Sequence, residues 1–310
     1  MTMAAAFWPR KFPRLPAATA RLFDVEQGSQ VRADCHWQAD PRMHPTLVIL
    51  HGLEGSSDSG YMRGCAEKAT VAGFNVLRLN QRNCGGTEHL TPTLYHSGRS
   101  GDLRAVVLEL IQRDRLPEIF FAGYSMGGNL VLKMAGEFGD AAPKELRGIV
   151  AVAPCFDLAA CADALGERRN YLYNAHFVRR LKKRMRRKAR LFAGIYALNG
   201  LDRIGSVRDF DERITAPFCG FDGADDYYEK ASAMRVLAAI RVPTLILTAQ
   251  DDPFVPYSTF DNAAIRGNDN IRLMAPAHGG HCGFISEESG EERFWSEARV
   301  VEFCAAHSTV

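Results

Sequence analysis

A serine hydroxyl becomes a useful nucleophile only beside a base that takes its proton. Ser125 lies at the centre of Gly123-Tyr-Ser-Met-Gly127. Before it comes an apolar run, Glu118 to Ala122, and after it Leu130, Val131, Met134, Ala135 and Phe138 recur at helical spacing. Glycines two before and two after the serine let a strand and a helix approach closely around a sharp, strained turn. The helix start behind it adds N–H donors and a favourable dipole. A flexible glycine turn with an incidental serine is the competing reading, and the flanking strand and helix favour the nucleophile.

A serine on such an elbow takes its partners from later in the chain, a carboxylate first and then a histidine. Asp251 and Asp252 follow an apolar run, Thr244 to Thr248, and precede Pro-Phe-Val-Pro. The carboxyl end of a core strand is where catalytic groups gather. Asp252 is preferred to Asp251, and both also suit a turn ahead of a proline. His278 and His281 share a glycine-rich loop, Ala277-His-Gly-Gly-His-Cys-Gly-Phe284, after the run Ile271 to Met274. His281 is preferred as base, leaving His278 a supporting or solvated role. His51 precedes the nucleophile, so the order excludes it.

Acyl transfer also needs donors for the developing oxyanion. The N–H after the nucleophile, on Met126, is one candidate. Leu53 supplies the other, in the turn Leu50-His-Gly-Leu-Glu-Gly-Ser56 that follows the run Thr46 to Leu50. Such a donor contributes about 3 kcal/mol to the transition state. An ordinary glycine turn is the plainer alternative.

These residues require a scaffold, and the pattern supplies one. Val31 to Trp37 alternates like an exposed antiparallel strand. Strands are expected at 46–50, 74–79, 118–122, 148–152, 242–248 and 271–274. Helices are expected at 62–72, 102–113, after Ser125, near 258–265 and about 291–304, the last burying Phe294, Trp295, Ala298 and Val301. Short apolar runs alternating with amphipathic helices indicate an α/β fold, a mostly parallel sheet covered on both faces. Residues 156–240 break the rhythm and read as a helical insertion. The expected organisation is an N-terminal arm over 1–30, a core from 31–155 and 241–310, and the insertion between.

The 310 residues carry a net charge of +2, which gives no global footprint for nucleic acid. Eight cysteines are scattered without zinc-binding spacing, so no metal or other cofactor is expected. A chain this large without a convincing secretion signal suggests free thiols and a cytoplasmic location. The apolar stretch Met3 to Trp8 is short and prolines follow it; no run is long enough to span a membrane.

Taken together, His51-Gly-Leu-Glu-Gly-Ser-Ser57, Asn80-Gln-Arg-Asn-Cys-Gly-Gly86, Tyr95-His-Ser-Gly98 and the Ser125 segment through Asn129 resemble the YheT-like branch of the α/β hydrolases. Tyr173-Asn-Ala-His-Phe177, Asp225-Asp-Tyr-Tyr228 with Ser232, Asp251-Asp-Pro-Phe254 and Gly279-Gly-His-Cys-Gly-Phe284 extend the likeness from about Asp34 to Cys304. The resemblance implies an α/β-hydrolase fold with a cap made by 156–240, and hydrolysis of carboxylic esters. It places nucleophile, acid and base on Ser125, Asp252 and His281. Asn83 departs from it, standing where the family more often has glycine.

Arg179 to Arg190 holds nine basic residues in twelve, with Phe177, Leu181, Met185 and Ala189 at four-residue spacing. It reads as a helix with a narrow apolar stripe. A solvated cap face, attraction to anionic lipid and nucleic-acid contact compete for it, and the last lacks a recognised module. The working expectation is a peripheral contact with acyl-lipid surfaces. Asp225 and Asp226 are expected to be structural, since adjacent aspartates do not converge on one ion. The expected substrate is a small-molecule or lipid ester. Thioesters, amides and phospholipid acyl bonds suit the same machinery, and a lipid-surface binding role without catalysis would be indifferent to Ser125.

Overall fold

A computed structural model describes residues 9–286 and 292–310. The strands and main helices run β1 (Thr19–Glu26), β2 (Ser29–His36), β3 (Thr46–Leu50), α1 (Gly60–Val71), β4 (Asn75–Leu79), α2 (Ser100–Gln112), β5 (Ile119–Tyr124) and α3 (Met126–Phe138). They continue with β6 (Leu146–Val152), α4 (Leu158–Gly166), α5 (Tyr171–Leu191), α6 (Ala224–Ala231), β7 (Thr244–Leu247), β8 (Ile271–Met274) and α7 (Trp295–His307). One eight-stranded sheet has the order β1-β2-β4-β3-β5-β6-β7-β8. The pairs β1–β2 and β2–β4 are antiparallel, and every other pair is parallel.

Period-two side-chain alternation divides the apolar runs between two cores. Val48, Leu50 and Phe121 face α2 and α3, against Leu103, Val106, Leu110, Leu130 and Val131. Leu47, Ile49, Phe120 and Ala122 face α1 and α7, against Met62, Ala66, Val300 and Cys304. Strands buried on both faces read as unbroken apolar runs for this reason, and the parallel core expected from the sequence is present.

Two expectations are corrected. The second half of the 1–30 arm is β1, which extends the sheet by pairing Thr19 through Glu26 with β2. Its burial alternates weakly because it is an edge strand, so its apolar signal is faint. The preceding residues are anchored as well: Arg10 makes a bidentate ion pair with Glu297, and the Arg14 N–H donates to Glu67. The apolar stretch 3–8 lies outside the described residues. The last helix begins at Trp295, because Phe294 is bridged to Ile285; it buries Val300, Val301 and Cys304, while Phe294, Trp295 and Ala298 are only half-buried. Glu291, the expected start, is outside the described residues.

The segment between β6 and β7 is helical throughout its ordered elements. Leu165, Val178, Leu181, Met185 and Phe210 pack there with Phe254 as a separate apolar cluster. Among the described residues no helix is long and apolar enough to cross a membrane.

Candidate active site

The turn from β5 into α3 holds Ser125 at φ 56°, ψ −117°, a region that costs a non-glycine residue about 1–3 kcal/mol. The surroundings enforce it. The Ser125 N–H donates to Val152 O at 2.8 Å, and its carbonyl accepts from the N–H groups of Asn129 and Cys155. A Cβ on Gly123 would lie 2.1 Å from Gly127 O, and one on Gly127 would lie 2.6 Å from His51 O. Both glycines are therefore required by contact distance.

His281 Nε2 lies 2.8 Å from Ser125 Oγ, and its Nδ1 lies 2.9 Å from Asp252 Oδ2. Asp252 has no side-chain exposure. Its Oδ1 accepts from the N–H groups of Phe254 and Val255, so the loop after β7 fixes the carboxylate's direction. Burial disfavours the imidazolium of His281, but the Asp252 carboxylate overrides it and holds the pKa well above the usual imidazole value.

The neighbouring candidates have other work. Asp251 Oδ1 accepts from Gly279 N and Gly280 N, and Oδ2 faces His278 Nδ1 at 3.3 Å. Despite burial, those donors hold the Asp251 carboxyl below its ordinary value. His278 is 77% exposed. Asp251 therefore braces the loop that carries His281. His51 is fully buried; burial pushes its pKa down to about 4, so it is neutral. Its Nδ1–H donates to Gly52 O at 2.8 Å, while Nε2 accepts from Gln81 N. It pins the start of the Leu53 turn.

Leu53 and Met126 line one cavity with Ser125 and His281. Among the described residues neither backbone N–H donates a hydrogen bond. Gly55 N donates to Gly52 O, which closes a tight turn around Leu53 and Glu54. Apolar side chains from both the core and the helical segment complete the cavity, Leu94 and Phe254 from the first and Leu158, Leu165, Phe177 and Phe210 from the second. This arrangement can hold an acyl group beside a proton-relay serine.

Several participants were not singled out in the sequence. Cys155 Sγ lies 3.5 Å from Ser125 Oγ. Asn129 Nδ2 donates to Ser97 O and Ala231 O, and its Oδ1 accepts from Ala233 N, which ties α3 to the helical segment. Asp211 lines the cavity and accepts from Thr215 Oγ1 and Tyr228 OH. The Asn that ends the nucleophile segment was a visible signal; for Cys155 and Asp211 only tertiary contact gives one. Asp225 pairs with Arg208 and Asp226 with Lys230, while Tyr227 OH accepts from Ser97 N. Among the described residues no group of three or more His, Cys, Asp or Glu is placed to hold a metal.

The basic run departs from a solvated face. On α5, Arg184 pairs with Glu54, Arg187 with Glu88 and Arg186 with Asp202. The ammonium of Lys188, buried, donates to the carbonyls of Glu88 and Thr91. Arg180 and Lys182 donate to the carbonyls of Glu54 and Asp202.

A family model described as alpha/beta hydrolase fold matches residues 45–288. The chain is 31% identical over 306 residues to "Putative esterase YheT" of Escherichia coli, covering 96% of this chain and 88% of that one. It is 30% identical to phospholipase ABHD3 of Mus musculus, covering 85% of this chain and 66% of the relative. Identity is also 30% to a monoacylglycerol lipase of Saccharomyces cerevisiae, over 83% of this chain and 60% of the relative. Among solved structures, the Pyrococcus furiosus esterase Pf2001 superposes with a TM-score of 0.62 at 17% identity, covering 96% of this chain and 94% of that one. Est1E of Butyrivibrio proteoclasticus, solved with ferulic acid, gives 0.59 at 18% identity, over 93% and 98%. By the matched length and these similarities, the chain belongs to the α/β-hydrolase fold family.

Proposed function

We propose that the protein hydrolyses carboxylic esters through an acyl-enzyme on Ser125. The observation that carries this reading is the pair of hydrogen-bond distances from one imidazole, 2.8 Å to Ser125 Oγ and 2.9 Å to Asp252 Oδ2. His281 takes the Ser125 proton as Oγ attacks the carbonyl carbon. The carbonyl π electrons move to oxygen, which accepts from the N–H groups of Leu53 and Met126. Collapse of the tetrahedral adduct expels the alkoxide, and His281 protonates it. Water, deprotonated by His281, repeats the sequence and frees the acid. Asp252 keeps the imidazole in its Nδ1–H tautomer and stabilises its charged form.

Residues 156–240 act as a cap in this reading, since their apolar side chains roof the cavity beside Ser125. The apolar lining suits short- to medium-chain acyl groups. The names of the relatives, esterase, phospholipase and lipase, support acyl-ester chemistry and leave the alcohol part open. The test is hydrolysis of p-nitrophenyl esters from acetate to palmitate by wild type and Ser125→Ala. Turnover lost in the variant supports the reading. No serine-dependent turnover, together with no labelling of Ser125 by a fluorophosphonate, rejects it.

A second reading concerns location. Tyr171, Leu172, Leu191 and Ile195, at or just beyond the ends of α5, are each at least half exposed. Arg179, Lys183 and Arg190 on the same helix are exposed and make no hydrogen bond or ion pair among the described residues. Apolar side chains flanking cations favour peripheral contact with an anionic lipid surface.

A further inference from the structure

The Leu53 turn carries an unusual residue. Glu54 has φ 57°, in the left-handed region that disfavours a side chain, yet it directly follows the proposed oxyanion donor. Asn83, in the loop after β4, also has a positive φ, 65°. One side chain of the cap contacts both. Arg184 of α5 donates from Nε to Glu54 Oε1 at 2.7 Å and from Nη2 to Oε2 at 3.0 Å, and from Nη1 to Asn83 O.

The remaining contacts of Glu54 come from the same direction or from beneath. Arg180, one turn earlier on α5, donates to Glu54 O at 2.6 Å. Tyr95 OH donates to Glu54 Oε1 at 2.6 Å and accepts from Glu54 N at 3.3 Å. The Arg184 guanidinium lies over the Tyr95 ring. Tyr95 clusters with Cys84 and Met126, and Leu53 packs against that cluster, so both proposed oxyanion residues belong to one small apolar group with the Tyr95 ring. Glu54 and Arg184 are buried together, with 4% and 10% of their side chains exposed.

We propose that Arg184, through Glu54 and Tyr95, is a positioning residue for the oxyanion hole: the cap must be seated for the Leu53 N–H to face the reacting carbonyl. This rests on the hydrolase reading above. Without the guanidinium, the buried carboxylate loses its nearer counter-ion and both side-chain hydrogen bonds to it, keeping only Arg180 Nε at 3.9 Å. The turn then loses the contacts that hold Glu54 in the left-handed region, and it relaxes. A shift of about 1 Å in a group that acts only in the transition state lowers turnover strongly while leaving substrate binding nearly intact. The basic run of α5 is thereby explained in part as catalytic support rather than as a solvated face.

The test compares wild type, Arg184→Met, Arg184→Lys and Tyr95→Phe on a short-chain ester, beside inhibition by an alkyl trifluoromethyl ketone. That ketone forms a covalent hemiketal with Ser125 Oγ; the serine proton passes to His281, and the new oxyanion sits in the hole. Arg184→Met is expected to lower kcat by about 10–100-fold with KM within about threefold. The ketone Ki should weaken by the same factor as kcat/KM, because both report the tetrahedral oxyanion. Arg184→Lys should recover part of each. Tyr95→Phe keeps the ring and removes only the hydroxyl, so it serves if Arg184→Met fails to fold; a fall of about tenfold in both quantities is expected. Two results overturn the proposal: kcat/KM within twofold of wild type in the folded variants, or a fall in kcat/KM with an unchanged ketone Ki. A wild type that neither turns over esters nor binds the ketone rejects the hydrolase reading, and the proposal with it.

Discussion

Asp252 presents Oδ2 to His281 Nδ1 at 2.9 Å from a side chain with no solvent exposure, while Asp251, one residue earlier, holds the backbone of the loop bearing that histidine. Adjacent carboxylates thus serve orientation and loop geometry separately. Asp252→Asn is expected to lower kcat by roughly ten-thousandfold, because the amide favours the wrong tautomer. Asp251→Asn retains an acceptor for both glycine N–H groups, and its kcat should fall by about threefold or less. Steady-state kinetics on one ester decides; equal losses in the two variants would reject the division of roles.

The raised pKa of His281 sets a pH dependence. The imidazole accepts the serine proton only when neutral, so activity rises with pH through its pKa. With Asp252 overriding burial, that pKa lies above the usual value of about 6.5. The acid limb of kcat/KM is therefore expected above pH 6.5. In Asp252→Asn the raising charge is gone and burial remains, so the His281 titration, followed by NMR of the ring, moves to lower pH. A limb at or below pH 6 in wild type contradicts this.

Much of this site was legible in the sequence, for identifiable reasons. The elbow glycines and the strand-to-helix change around Ser125 express steric demands that few residues meet. The parallel core was legible because strands buried on both faces are continuous apolar runs. β1 was not, since an exposed edge strand has little apolar content to display. The partners of the α5 charges were not legible either: a run of arginines leaves a solvated face and a lipid contact both open, and only folding brings Glu54 and Glu88, 130 and 99 residues away in sequence, against it. Asp211 gave no local signal, as only folding encloses it.

Asp211 predicts a stability effect of definite sign. Burial raises its pKa from 3.8 to about 6, against the opposing donation of Thr215 and Tyr228. The folded protein therefore holds this proton more tightly than the unfolded chain. The contribution to stability falls as pH rises from about 4 to about 6 and stays low above that. Asp211→Asn removes the penalty, so the stability of the variant relative to wild type should be greater at pH 7.5 than at pH 4. The difference is at most about 3 kcal/mol. Denaturant unfolding at both pH values measures it, and a difference of zero or opposite sign rejects the assignment.

Cys155 is expected to be the reactive thiol among those facing the site. Hydrogen bonding from Cys161 lowers its pKa against burial, with help from His281 and Ser125. Burial pushes the thiols of Cys35, Cys65 and Cys84 up to about 12. Iodoacetamide should therefore modify Cys155 ahead of those three. The adduct would occupy the cavity beside Ser125 and abolish turnover. Cys155→Ala should retain activity after the same treatment. Inactivation of that variant at the wild-type rate would place the reactive thiol elsewhere.

The exposed part of α5 makes a separate prediction about surfaces. Six of the nine basic residues in 179–190 are engaged within the protein, which leaves Arg179, Lys183 and Arg190 to face an anionic membrane. Each such cation contributes about 1 kcal/mol near an acidic surface at low salt. Replacing all three with serine should weaken sedimentation with phosphatidylserine-containing liposomes by roughly a hundredfold, while p-nitrophenyl ester turnover in solution stays near wild type. Leu172→Ser and Leu191→Ser should weaken it further, since both side chains are more than half exposed. Raising the salt should weaken the wild type toward the triple variant, because screening acts on the charges and leaves the apolar contact. Equal wild-type binding to anionic and neutral liposomes would instead assign these cations to solvation alone.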